Sequence, residues 1–185
     1  MKFNKIASAV VLSMGMVAFG ANAADQGSGS VTFTGSIIDA PCSIHPDSVD
    51  QVVELGQVAS AALKNRGKST PRFFDIKLEN CSLDTSKDEN GKPVAANTVS
   101  ITFGGPEAND AKDLVAISGD AKGAGVAIED MMGKRVILGK ATEAQSLVAG
   151  DNTLQLSSYL VGLGNDDAIE AGEFQAVSNF TMSYE

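Results

Sequence analysis

The sequence predicts an all-β sandwich, because short alternations of apolar and polar residues recur along the chain and are separated by turn signals. The clearest alternations are Phe74–Leu78, Thr98–Phe103 and Thr153–Val161, each followed within two residues by glycine or asparagine. The chain has 185 residues, and it contains no internal repeat and no low-complexity linker. One domain therefore accounts for its length.

A secretory leader is predicted at the N-terminus. Met1–Lys5 is basic, Ile6–Gly20 is apolar, and Ala21–Ala23 provides the small-x-small site that is typical of signal-peptide cleavage. The apolar run is short for a membrane span, so an N-terminal anchor is the less favoured alternative. We expect the leader to direct export and to be cleaved after Ala23, which leaves a mature chain of 162 of the 185 residues.

The composition limits the possible partners. The leader holds two lysines and no acid, so the mature chain carries 12 basic and 23 acidic side chains, a formal net charge of −11. Such a domain repels nucleic acid and anionic lipid, and we expect it to bind neither. With no Trp and only two Tyr, the aromatic stacking platforms common in carbohydrate sites are scarce.

The two cysteines, Cys42 and Cys81, are expected to form a disulfide, because an even cysteine count in an exported protein favours pairing. Closing a loop of about 40 residues stabilises a fold by roughly 4 kcal/mol on the chain-entropy model. A metal or redox pair is disfavoured because the spacing is wide, no Cys-x-x-Cys is present, and His45 is the only histidine.

In the first segment after the leader, residues 24–38, the side chains alternate strictly from Gly27 to Ile37. One row is apolar or bare, and the other consists of hydroxyl side chains; the first row is Gly27, Gly29, Val31, Phe33, Gly35 and Ile37. This period of two predicts a strand with one buried face. Its front half lacks bulky side chains and is poorly equipped to fold alone, so we expect its partner in another molecule. An ordinary first strand that pairs within its own chain is the alternative.

The remaining elements follow in order. Strands are predicted at Gln51–Gly56, Arg72–Leu78, Thr98–Phe103, Val115–Ile117, Val126–Ile128, Arg135–Leu138 and Thr153–Val161. The segments Val126–Ile128 and Arg135–Leu138 are expected to form a hairpin. Residues 59–68 fit either a short helix or an irregular crossing loop, Asn90–Gly91 is a turn signal, and Gly164–Gly172 is an acidic loop.

The chain closes with a predicted strand from Gly172 to Glu185. Its apolar side chains share one face and continue almost to the last residue; they are Phe174, Ala176, Phe180, Met182 and Tyr184. A terminal strand of this kind has to be buried against something, because an exposed apolar edge strand invites pairing with another chain.

Taken together, five segments in this order resemble the chaperone–usher pilins, and most of all the major rod subunits of P-pilus and mannose-resistant type. They are the alternating segment after the leader, Gly35–Cys42, Val53–Val58, Phe74–Cys81 and the C-terminal strand. Gly172, fourteenth from the end, and the penultimate Tyr184 match the C-terminal chaperone-recognition marks of that family.

The resemblance implies an incomplete immunoglobulin-like sandwich that lacks its final strand. In that family a periplasmic chaperone first fills the resulting groove beside the C-terminal strand. The N-terminal segment of the next subunit then displaces the chaperone at an outer-membrane usher, which is donor-strand exchange. The expected organisation is a signal peptide at 1–23, a donor-strand extension at 24–36 and a pilin domain at 37–185.

Residue roles also follow from the resemblance. Val31 and Phe33 are expected to be donor plugs, and Gly29 matches a donor position where a side chain would clash. Groove and chaperone-recognition roles are expected for Gly172, Phe174, Ala176, Phe180, Met182 and Tyr184. The implied product is a homopolymer of identical or related pilins on the bacterial surface that supports adhesion and needs no cofactor.

Other functions remain as alternatives. A minor adaptor or terminator pilin is a close variant, and a monomeric secreted β-sandwich that binds sugar or protein belongs to a different class. A secreted hydrolase is disfavoured, because a Ser-His-Asp set would have to use His45, next to a proline and a predicted disulfide. Calcium binding at Asn165, Asp166, Asp167, Glu170 and Glu173 is disfavoured, since the spacing does not match an EF-hand loop.

Overall fold

The computed structural model describes residues 29–83, 98–164 and 168–185. These residues form ten strands, two one-turn α-helices and one 3-10 turn. The helical pieces are α1 (Pro46–Val49), α2 (Ser60–Leu63) and the 3-10 turn Lys64–Arg66. The strands are β1 (Ser43–Ile44), β2 (Arg72–Cys81), β3 (Thr98–Gly104), β4 (Val115–Ala116), β5 (Ser118–Gly119), β6 (Ala124–Glu129), β7 (Gln145–Ser146), β8 (Gly150–Gly162), β9 (Phe174–Gln175) and β10 (Asn179–Tyr184).

Some predicted features lie outside the described residues. They are the signal peptide 1–23, the start of the alternating segment (24–28), the Asn90–Gly91 turn and three residues of the acidic loop (165–167). The chain divides into two units, residues 1–37 and 38–185. Residues 38–185 contain all ten described strands.

The larger sheet has the order β1-β2-β8-β6-β4, and all of its pairs are antiparallel. Its centre is the long strand β8, in which Leu156 lies opposite Phe74 of β2, and Leu160 lies opposite Val126 of β6. Alternate side chains of β2 and β8 point to the same face, so Ile76, Leu78, Leu154 and Leu156 are all almost fully buried. The strands predicted at Arg72–Leu78 and Thr153–Val161 are confirmed and extend slightly further.

A second sheet has the order β10-β3-β7, and β5 and β9 form a separate two-stranded ladder. In β3, Val99, Ile101 and Phe103 are buried, and they join one continuous apolar cluster with the inward side chains of β2, β6 and β8. The predicted strand Thr98–Phe103 is therefore confirmed. Two sheets that share one apolar core make the predicted sandwich.

The disulfide between Cys42 and Cys81 is present, and both cysteines are buried. It joins the residue just before β1 to the last residue of β2. Beside it, the Ser82 amide donates to the Pro41 carbonyl oxygen at 2.8 Å. The covalent link thus reinforces a short pairing of only two residues between β1 and β2.

Residues 29–39 form no strand in the single chain, so the alternative of a first strand that pairs within its own chain is wrong. The strand predicted at Gln51–Gly56 is also wrong, because residues 51–59 form no strand. Side-chain bonds replace the expected ladder there: the Gln51 side-chain amide donates to the Asp75 carbonyl at 2.9 Å, and the Lys77 amide donates to the Ser48 hydroxyl at 3.0 Å. The edge of β2 is occupied by these contacts, so a regular strand does not form there.

The predicted hairpin at Arg135–Leu138 reduces to a single bridge between Glu129 and Arg135, with one further bond from the Val136 amide to the Ile128 carbonyl. The chain then leaves β6: the Leu138 amide donates to the Lys112 carbonyl, and the Gly139 amide donates to the Phe103 carbonyl. Residues 59–68, left open between helix and loop, contain α2 and the 3-10 turn. No described helix is long and apolar enough to cross a membrane.

Candidate functional site

The strand β10 forms one edge of its sheet. On one side it pairs with β3, with Phe180 opposite Phe103 and Met182 opposite Ile101, and on the other side no described strand pairs with it. The side chains of Phe180, Met182 and Tyr184 are half-buried, and the residues between them are exposed. An edge of this kind offers unpaired backbone groups beside an apolar row.

A groove of about 1,610 Å³ runs beside this edge. One wall consists of residues 172–180, which include β9 and the start of β10, and the other wall is the coil of residues 48–58. The core side chains Ile76, Phe103 and Leu160 also line it, so the groove reaches down to the core of the sandwich. Apolar surface of this extent favours an occupant that brings its own apolar side chains.

The coil wall has the alternation of a strand without the pairing. Val53, Leu55 and Val58 are half-buried and line the groove, whereas Glu54 and Gly56 are exposed. The sequence prediction of a strand here detected the correct inward side chains but was wrong about the ladder. It also assigned no groove role to this wall, although the same alternation was the available signal.

The predicted C-terminal strand is divided into two ladders. Phe174 of β9 pairs with Gly119, and the chain then passes to β3, where the Ser178 hydroxyl donates to the Gly104 carbonyl at 2.9 Å. The predicted shared face survives this change of partner, because the five apolar side chains of the row all pack against the core. They are Phe174, Ala176, Phe180, Met182 and Tyr184.

The predicted groove residues divide between the groove and the end of β10. Gly172, Phe174, Ala176 and Phe180 line the groove. Met182 and Tyr184 continue the row beyond its lining, and the Tyr184 hydroxyl donates to the Met182 sulfur at 3.4 Å. Burial raises the pKa of Tyr184 above its ordinary value.

Gly172 allows a close approach between two segments of the wall. A Cβ at this position would lie 2.7 Å from the Asp120 Cβ and 2.8 Å from the Ala121 amide nitrogen. The same segments are held together by the amides of Asp120 and Ala121, which both donate to the Glu173 carbonyl at 3.0 and 3.1 Å. A larger residue would separate them and shift β9, which lines the groove.

In the described part of the N-terminal unit, from residue 29, the apolar row is fully presented to solvent. Val31, Phe33 and Ile37 have relative exposures of 77%, 90% and 104%. A Cβ built on Gly29 meets no atom within 4 Å. The predicted buried face is thus unburied in the single chain, and an alternating row of this kind has the pattern of a strand that lacks its sheet.

A polar cluster lies on the outer face of the larger sheet, centred on the buried Tyr159. Arg135 donates to Asp113 at 2.8 Å and to the Tyr159 hydroxyl at 3.0 Å, and that hydroxyl donates to Glu129. Burial acts to raise the pKa of Asp113, but hydrogen bonds from Arg135 and Asn109 outweigh it, and the pKa is lowered overall. Burial raises the pKa of Tyr159, and the bond to Glu129 adds to that effect.

In the described part of the acidic loop, Glu170 forms an ion pair with Lys122. Lys122 donates to Glu170 at 2.8 Å, and their backbones form an antiparallel bridge. This pair fixes the loop against the turn before β6, and Ile169, Glu170 and Ala171 line the groove at this end. Glu170 therefore has a structural partner within the fold.

Comparison with known proteins confirms the resemblance. The family model described as Fimbrial protein matches residues 31–185. The fimbria A protein of Serratia marcescens is 50% identical over 185 residues, and the major MR/P fimbria protein of Proteus mirabilis (strain HI4320) is 45% identical over 186 residues; each match covers 100% of both chains.

The solved structure of the P pilus rod subunit PapA matches with a TM-score of 0.68 and 32% identity, covering 79% of this chain and 100% of that chain. The fold is accordingly an incomplete immunoglobulin-like sandwich, as the open edge of β10 and the groove beside it require. Sequence, fold and the geometry of the groove agree, and this chain belongs to the fimbrial protein family.

Proposed function

We propose that this chain is the major structural subunit of a surface fimbria and that it polymerises by donor-strand exchange. In this mechanism the N-terminal segment of one copy, residues 24–36, occupies the groove of the next. The observation that carries the proposal is the coexistence, in one chain, of an unpaired edge at β10 and an exposed apolar row that includes Val31 and Phe33. The edge of β10 lacks a pairing strand, and the exposed row lacks a sheet in which to bury its side chains.

The energetics favour insertion of such a strand. Burial of a fully exposed Val or Phe side chain contributes about 1.5–3 kcal/mol by transfer from water. Strand addition also pairs backbone groups along an edge, and each group costs about 1–3 kcal/mol if it is buried without a partner. A strand held by β10 on one side and by the 48–58 wall on the other should dissociate very slowly.

The proposed exchange suits a fibre. Each copy donates a strand from its N-terminus and accepts one in its groove, so the two contact surfaces differ. A heterologous contact that does not close on itself generates an open filament. No cofactor takes part in this reaction, and the subunit acts as a structural element rather than as an enzyme.

Delivery requires an escort, because the free groove leaves apolar side chains such as Phe174 and Phe180 only half-buried. We assign this role to a periplasmic chaperone that occupies the groove until an outer-membrane usher directs the exchange. Its recognition surface comprises Gly172 and the row that ends at Tyr184, which together form the accessible wall. The leader at 1–23 directs export, and the fibre that results supports adhesion at the cell surface.

The test is a gel of material sheared from cells, loaded unheated and after boiling in acid. A ladder that collapses to one band near the mature subunit is expected, because the copies are joined without covalent bonds but separate very slowly. Phe33→Asp should abolish the ladder while the subunit still folds. Phe73→Asp is the matched control, since Phe73 is also exposed (72%) but lies outside the donor segment.

The alternatives predict other results. A monomeric binding module gives one monomer band in both lanes, and deletion of residues 24–34 leaves its state of assembly unchanged. A minor adaptor or terminator pilin gives few fibres of its own and changes fibre number or length rather than fibre mass. A normal ladder from the Phe33→Asp variant would remove the donor assignment.

A further inference from the structure

The ionisable residues of this chain are segregated along the sequence. Residues 6–63 contain no Lys or Arg and include the acids Asp25, Asp39, Asp47, Asp50 and Glu54. Residues 55–74 show the opposite pattern, with no Asp or Glu and the bases Lys64, Arg66, Lys68 and Arg72. In a chain with a formal net charge of −9, this acid-free stretch is where an anionic partner meets the least repulsion.

The basic loop, residues 64–68, is fixed beside the groove. Leu63 lines the groove immediately before it. The loop is closed by a bond from the Gly67 amide to the Lys64 carbonyl at 2.9 Å, and it is tied to β8 by a bond from the Gly162 amide to the Gly67 carbonyl at 3.0 Å. Arg66 adopts a positive φ of 60°, a conformation that non-glycine residues adopt rarely. The loop is thus a defined structure.

The cations of this loop have no acidic partner in the described chain. Lys64, Arg66 and Lys68 are exposed, and no described carboxylate lies within 4.0 Å of their nitrogens, although four other ion pairs with Lys or Arg form elsewhere on the surface. Lys68 instead lies over the Tyr159 ring, 5.4 Å from its centroid. Among the described residues, Lys64 and Arg66 are therefore exposed cations available for a contact with another copy.

The acidic segment, residues 39–54, is the complementary surface. Asp39, Asp47, Asp50 and Glu54 are exposed. The imidazole Nδ1 of His45 lies 3.7 Å from the Asp47 carboxylate. Helix α1 and the bond from the Lys77 amide to the Ser48 hydroxyl at 3.0 Å fix the middle of this segment.

We propose that the basic loop of one copy contacts the acidic segment of the neighbouring copy in the fibre, an inference that rests on the proposed donor-strand exchange. The donor segment ends where the acidic segment begins. Asp39 lies six positions after Phe33, a span of at most about 22 Å. Insertion of the donor therefore delivers the acidic segment of its own copy close to the groove of the acceptor, beside which the basic loop lies.

This tether makes a weak contact effective. Single surface ion pairs contribute little and are screened by salt, but the donor strand holds the two surfaces at a high effective concentration. The contact would make each joint of the fibre stiffer without contributing to the strand insertion itself. Fibre stiffness should therefore depend on salt, whereas the gel ladder should not.

The experiment measures the persistence length of sheared fibres by negative-stain electron microscopy, from about 20 mM to about 500 mM NaCl, a range that moves the Debye length from about 20 Å to about 4 Å. For wild-type fibres the persistence length should fall at least about twofold across this range, as expected for screened ion pairs. Lys64→Glu should show the low value at every salt concentration. The matched control is Lys140→Glu, which reverses one exposed lysine outside the loop and should behave like wild type.

A charge exchange tests the partner surface. Fibres that combine Lys64→Glu and Arg66→Glu with Asp39→Lys and Asp47→Lys in the same chain should recover the stiffness and its salt dependence; these two acids are exposed and lie outside the groove wall. Because Arg66 covers Gly164, its substitution could impair folding. Lys64→Gln, which keeps the loop and removes one charge, is the second variant and should give an intermediate persistence length.

The outcomes separate the two proposals. An unchanged ladder with flexible Lys64→Glu fibres supports the contact, and wild-type stiffness in that variant overturns it. A wild-type chain that gives no ladder overturns the proposed function and this contact with it. If Lys64→Glu abolishes binding of the fibres to a sulfated polysaccharide such as heparin but leaves stiffness unchanged, the basic loop binds a polyanion and the subunit contact is wrong.

Discussion

Phe180 lies opposite Phe103 in the ladder between β10 and β3, and their ring centroids are 6.2 Å apart at an interplanar angle of 50°. Phe103 is buried in the core, whereas Phe180 is half-buried, and both line the groove. The pair therefore links the interior of the sandwich to its open edge. A tilted arrangement at this distance is among the favourable geometries for aromatic rings.

Replacement of Phe180 by Ala should weaken the binding of the donor strand in the groove. It removes part of the groove lining and the aromatic contact, and for a half-buried ring we expect a loss of about 2–3 kcal/mol, below the usual range for a fully buried Phe. The guanidinium concentration at which sheared fibres dissociate should fall. Thr181→Ala changes the adjacent, exposed side chain of β10 and should leave that concentration nearly unchanged; equal effects would contradict a groove role for Phe180.

Gly172→Ala should disturb the groove wall of residues 172–180 where it packs against Asp120 and Ala121. The added methyl group meets the Asp120 Cβ and the Ala121 backbone at less than 3.0 Å, and backbone cannot retreat as a flexible side-chain end can. We expect a destabilisation of about 1–3 kcal/mol from overpacking and a lower yield of exported subunit, measured by immunoblot of periplasmic extracts.

Gly104→Ala provides the matched control, because its added Cβ would meet only the Asn179 side chain, at 4.0 Å. Full export of both variants would mean that the close approach at Gly172 is not required.

The alternation of side chains in the sequence predicts which residues face the core, and it does so well in β2, where Ile76 and Leu78 are fully buried. The same pattern in Val53 and Leu55 identifies inward side chains, but no ladder forms there. Burial of alternate side chains is a property of one strand face, whereas a ladder needs a neighbouring backbone edge. One chain's periodicity carries no information on that neighbour.

The N-terminal row shows the same limit more strongly. Val31 and Phe33 alternate as buried residues do, yet both are exposed in the single chain. In the proposed polymer the buried face belongs to the neighbouring copy, so the pattern in the sequence describes the assembled state. The division of the C-terminal strand into β9 and β10 was not predictable either, because the row of apolar residues continues through the change of partner.

Asp113→Asn should alter the dependence of stability on pH. The pKa of Asp113 is lowered in the folded protein from an ordinary value of 3.8, so its ionised form stabilises the fold above that value, and this contribution is lost as the pH falls through the lowered pKa. At neutral pH the variant should lose about 1–3 kcal/mol, the usual effect of removing a charged hydrogen-bond partner.

The measurement is denaturant unfolding of the subunit within fibres at pH 7 and at pH 3. The difference between wild type and Asp113→Asn should shrink at the lower pH, where wild-type Asp113 begins to protonate. Asp110→Asn is the control, since Asp110 is exposed and forms no ion pair in the described chain. A difference that grows on acidification would contradict this account of the Arg135 and Asp113 pair.

Gly29→Leu separates the stability of the subunit from its capacity to polymerise. In the single chain a side chain at Gly29 meets no atom within 4 Å, so folding and export should not change. In the groove of the next copy the same side chain has to fit between β10 and the 48–58 wall, and overpacking there should cost about 1–3 kcal/mol. If that cost falls on the transition state for insertion, polymerisation slows about tenfold for each 1.4 kcal/mol. Ser30→Leu introduces the same side chain in the hydroxyl row and should polymerise faster than Gly29→Leu, as measured by the growth of the unheated gel ladder with time. Equal rates for the two variants would mean that Gly29 does not face the groove, and the register of the donor strand would have to be reassigned.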